Sequence, residues 1–67
     1  MLSEKILEAL KKRYEAQVAE GIAIVNIYLK HPVGIGEHPQ HLDEIDKLLD
    51  KIKEAEEKIS LIERWVK

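Results

Sequence analysis

The sequence predicts an all-α protein, an antiparallel two-helix hairpin that assembles into a four-helix bundle or a larger helical oligomer. Three observations lead there. Two stretches of nearly equal length carry apolar residues at alternating steps of three and four, the spacing of one helix face. Both prolines and two of the three glycines fall in the segment between them, His31 to Pro39. One stretch, Ile22 to Leu29, is apolar nearly all round, with Asn26 its lone polar side chain, so a single neighbouring helix cannot cover it.

The chain reads as one domain, residues 1–67, with a helix over about 3–30, a loop over 31–38 and a helix over about 39–66. Ser3 followed by Glu4 suits a helix start, with Ser3 as N-cap. Leu7, Leu10, Tyr14, Gln17, Gly21, Ile24 and Tyr28 then form a seam of three-four steps, interrupted in character by Gln17 and Gly21. Gly21 costs about 1 kcal/mol relative to Ala inside a helix. Close approach of a neighbouring helix accounts for it, and a hinge is the alternative. Residues 22–29 are rich in β-branched side chains and suit a strand by propensity. Nothing else in the chain reads as β, so a strand would lack a partner, and the helical spacing runs on through the segment.

Pro32 biases His31 away from helical geometry and ends the first helix. Gly34 and Gly36 supply freedom to turn. Pro39 suits the first position of the second helix, where its missing N–H costs nothing, and Asp43, Glu44 and Asp46 follow near that helix's positive end. The second seam is unbroken: Ile45, Leu48, Ile52, Ala55, Ile59, Ile62 and Val66. Leu42 and Leu49 widen it on one side, Leu61 and Trp65 elsewhere. Pairs at i,i+4, Asp43–Lys47 and Glu54–Lys58, line the outer face. Equal lengths and a short connection favour antiparallel packing, each helix about 42 Å long at 1.5 Å per residue.

A chain of 67 residues buries only about 60% of its unfolded surface, and with no cysteine it has neither disulfides nor a thiolate zinc site to staple it. Oligomerisation is then the expected support, a homodimer being the simplest form. Its interface is expected to use Ile22, Ile24, Val25, Ile27, Tyr28, Leu29, Ile45, Leu48, Leu49, Ile52, Ile59, Ile62 and Trp65. Tyr14 and Tyr28 sit on the seam, and Trp65 is expected as interface core, with a hot spot for a partner as the alternative.

The net charge is −2: residues 1–30 carry five Lys/Arg against four Glu, and residues 31–67 six against nine Asp/Glu. Neither half has the basic excess that a phosphate backbone demands, so nucleic acid is not an expected partner. Lys11-Lys12-Arg13 reads as a solvated helix face. No leader and no membrane span is expected, because Glu4 and Glu8 stand where a leader's apolar region would fall and the apolar runs are far short of about 18 residues. A cytoplasmic location follows as an expectation.

Distinctive chemistry is confined to the bend. Val33, Gly34, Ile35, Gly36 and Glu37 form a candidate partner-binding tip. His31, His38 and His41 with Glu37 make an alternative, a metal-binding module. Gly34 and Gly36 ahead of a helix start offer backbone N–H groups to an anion, but the strand, the third glycine and the Lys-Ser/Thr pair of a phosphate loop are missing. No catalytic residue is expected: Ser3 and Ser60 are the serines, and the carboxylates follow exposed-face spacing. No cofactor is expected either.

The stretch Tyr28-Leu29-Lys30-His31-Pro32-Val33-Gly34-Ile35-Gly36-Glu37-His38-Pro39, followed by Ile45-Asp46 and Ala55-Glu56-Glu57-Lys58, resembles short uncharacterised helical-hairpin proteins of tailed bacteriophages, marine and cyanobacterial ones especially. The resemblance spans roughly residues 5–62. His31 stands where the pattern more often has Asn, and Gln40 where it has Asp. The resemblance implies a phage or metagenomic origin, and with it the host cytoplasm, and carries no activity. The function expected is that of a small non-enzymatic interaction or structural accessory protein, self-associating through its apolar stripes.

Overall fold

In the computed structural model two helices are described, α1 (Leu2–Lys30) and α2 (Gln40–Trp65), so residues 2–30 and 40–65 are those to which the structure speaks. No strand occurs among them. The β-branched stretch 22–29 is helical, as its spacing requires. Ser3 is a correction: α1 already includes Leu2, so Ser3 lies inside the first turn rather than capping it. Glu4 in the first turn and Lys30 in the last complement the dipole of α1, as Asp43 and Arg64 do for α2. The expected roles of Pro32, Pro39 and Val66 fall outside the described residues.

The helices are antiparallel. Lys11 meets Glu63, Tyr14 meets Lys58 and Gly21 meets Ile52, so positions on α2 fall as those on α1 rise. Continuing that register sets Val18 opposite Ala55, Val25 opposite Leu48 and Tyr28 opposite Ile45. The α2 seam is as the sequence predicts: Ile45, Leu48, Ile52, Ala55, Ile59 and Ile62 are all buried or half-buried.

The α1 seam differs in one respect. Gln17 is exposed, and Val18 takes its place; Lys11 and Val25 join the seam beside Leu10 and Ile24. The facing row is therefore Leu7, Lys11, Tyr14, Val18, Gly21, Val25 and Tyr28, still at steps of three and four. This rotation keeps the Gln17 amide in water, where it needs no internal hydrogen-bond partner. It brings Lys11 inward instead, which a lysine tolerates by keeping its methylene stem half-buried and sending its ammonium out to Glu63 at 3.2 Å. The expectation that Lys11-Lys12-Arg13 is wholly a solvated face is corrected accordingly.

Gly21 is buried because α2 passes close by. A Cβ placed there would lie 2.7 Å from Cγ1 and 3.1 Å from Cδ1 of Ile52. No glycine among the described residues has positive φ, so the reason for glycine is space and not backbone conformation. Ala55, 2% exposed, occupies the adjacent layer, where a larger side chain would force the helices apart.

The result is a rod. Its Cα extents are 52 × 14 × 13 Å and its radius of gyration is 15.4 Å, against about 11 Å for a compact domain of this length.

Candidate interaction surface

A two-helix rod has one internal seam and a great deal of outside. Among the described residues the buried apolar side chains are Ala55 and Ile62. Eight large apolar side chains are exposed: Ile6, Ile22, Ile27, Leu29, Leu42, Leu49, Leu61 and Trp65. The seven-residue repeat sorts most of them onto the two flanks of the seam.

The first flank is defined at the open end of the rod, away from the bend. Glu8 and Glu15 of α1 line a shallow depression with Lys11, Ile62 and Glu63, which places these acids on one side. Stepping by sevens along α1 from Glu8 and Glu15 reaches Ile22 and Leu29. Stepping back by sevens along α2 from Glu63 passes Glu56 and reaches Leu49 and Leu42. One flank therefore carries four glutamates toward the open end and four aliphatic side chains toward the bend. Ile22, Leu29, Leu42 and Leu49 are 47, 58, 61 and 52% exposed.

The second flank holds Leu10, Lys58 and Trp65 around another shallow groove, with Leu61 beside them. Lys58 places its ammonium 5.1 Å from the Tyr14 ring centre, a cation–π contact in place of the Glu54 pair read from spacing. Lys47 goes to Glu44 at 3.6 Å, and Lys12 to Glu8 at 3.8 Å; both pairs are exposed. Trp65 is 68% exposed: the α2 seam passes through Ile62 and leaves Trp65 to one side. Ile22 and Leu29 lie on the other flank.

No family model matches this chain, and no curated protein or solved structure is similar to it.

The residues expected at an oligomer interface split in two. Ile45, Leu48, Ile52, Ile59 and Ile62 turn toward α1, and Ile24, Val25 and Tyr28 are half-buried against α2. Ile22, Ile27, Leu29, Leu49 and Trp65 face outward. The candidate loop residues Val33, Gly34, Ile35, Gly36 and Glu37 lie outside the described residues, as do His31 and His38; His41 belongs to α2, but its side chain is not among those described. No cluster of metal-ligating side chains occurs among the described residues. No described helix is long and apolar enough to cross a membrane.

Proposed function

We propose that this protein is a non-enzymatic helical-hairpin interaction module that works as a self-associated unit. The observation that carries the reading is the set of eight large apolar side chains exposed among the described residues, four of which, Ile22, Leu29, Leu42 and Leu49, share one flank. Half-exposed aliphatic side chains at seven-residue spacing are the form an interface takes between helices.

The grooves argue in the same direction. Both are open and lie along the line where the two helices meet, one lined mostly by charged side chains and the other by the Leu10–Trp65 flank. Neither has the enclosed shape and converging polar groups of a small-molecule site. The resemblance of the bend to phage hairpin proteins supports an accessory role in that setting. Light scattering after size exclusion, across a concentration series, tests the proposal: a mass that rises from one chain to two supports it, and one chain at every concentration refutes it.

A further inference from the structure

We propose that the partner is a second copy of this chain, bound through Ile22, Leu29, Leu42 and Leu49 in a half-overlapped antiparallel register. This rests on the self-association reading above and names its interface. The argument is the segregation of charge along the first flank.

Three ways of docking that flank on a second copy differ in what meets what. With the bends at the same end, aliphatic side chains meet their equivalents, but Glu8, Glu15, Glu56 and Glu63 also meet theirs, and like charges repel. Lys11 and Lys12 offset Glu63 and Glu8, at 3.2 and 3.8 Å, but Glu15 and Glu56 of each copy are still brought to their equivalents. With the rods fully overlapped and antiparallel, the aliphatic four face the partner's glutamates, which strips water from those carboxylates and gives none of them a new partner. With the two-fold axis crossing the rod between the levels of Ile22 and Leu29, the aliphatic four face their equivalents and the two acidic halves point away from each other. Only this third register satisfies both halves of the flank. It is isologous, so it closes at two copies.

Docking the first flank on the second is heterologous: a pair joined that way still presents one free flank of each kind, so the assembly would grow or close into a ring rather than stop at two. Leu10, Leu61 and Trp65 stay outside this dimer, being on the other flank at the open end.

The chain has no cysteine, so Lys12→Cys, at an exposed position, supplies a single site for a spin label. At 1.5 Å per residue, half-overlap sets the two labels of a dimer about 40 Å apart. Either full-length overlap brings them within about 25 Å, the width of two helix layers. Small-angle scattering gives the same distinction without a label, as a dimer about 75 Å long against the 52 Å of one rod. Trp65, the one tryptophan, is expected to keep its emission wavelength as the dimer forms. Ile22→Ser with Leu49→Ser is expected to abolish dimerisation with the helical circular dichroism retained, while Leu10→Ser leaves the dimer intact. A dimer with a label distance under about 25 Å, or a blue shift of Trp65 on association, overturns the register but not self-association. A monomer at all concentrations overturns both.

Discussion

Replacing Gly21 by alanine sets two effects of opposite sign against each other. Alanine is favoured over glycine inside a helix by about 1 kcal/mol. The added methyl, however, would sit 2.7 Å from Cγ1 of Ile52. That atom is not the tip of a flexible chain: a β-branched side chain in a helix is held in one χ1 well, so Ile52 cannot swing away cheaply. Overpacking of this kind costs about 1–3 kcal/mol. Gly21→Ala is therefore expected to destabilise the hairpin by up to about 2 kcal/mol in spite of its better propensity. Ile52→Ala removes both atoms that collide. In that background the clash is gone and the propensity gain is uncovered, so Gly21→Ala should stabilise by about 1 kcal/mol. The sign reversal is measured by urea denaturation followed by far-UV circular dichroism, on wild type, both single variants and the double variant. One protein concentration is used throughout, so that association weighs equally. If Gly21→Ala stabilises both backgrounds by the same amount, the helices do not approach at Gly21 and the register is wrong.

Ala55→Leu should cost about 1–3 kcal/mol by the same overpacking, read as a lower urea midpoint at unchanged slope. Glu63→Gln should cost no more than about 0.5 kcal/mol, since its pair with Lys11 is exposed on the glutamate side, whereas Lys11→Ala should cost more because its half-buried methylene stem is lost with the charge; equal losses would mean that the stem does not pack. Lys58→Gln should cost about 0.5–1 kcal/mol when Tyr14 is present and almost nothing beside Tyr14→Leu, a double-mutant cycle that isolates the cation–π contact.

The two-helix architecture and all of the described α2 seam were legible in the sequence because each α2 seam position is apolar and the spacing never breaks. Gly21 was legible too, since a glycine on a seam has few explanations besides close approach. The exact face of α1 was not. Gln17 and Val18 are neighbours, and spacing alone allows either to face α2; the structure chooses Val18 because the amide is better left in water. Lys11 was missed because a charged residue inside a basic run reads as surface, although it stands seven residues before Val18 and fourteen before Val25. The division of one flank into acidic and aliphatic halves is present in the sequence as two heptad rows, but becomes visible once the antiparallel register fixes which rows are neighbours.

The central claim is that the hairpin leaves its aliphatic flank for a second copy. Four half-exposed side chains from each copy, contributing about 1 kcal/mol apiece on full burial, must overcome an association cost of at least about 4 kcal/mol. The dimer should then be reversible, with Kd in the micromolar range or weaker. Sedimentation equilibrium over a wide concentration range measures this directly. The account predicts a monomer–dimer equilibrium that stops at two chains and vanishes in the variant carrying Ile22→Ser and Leu49→Ser. A single-chain mass at the highest soluble concentration would contradict it.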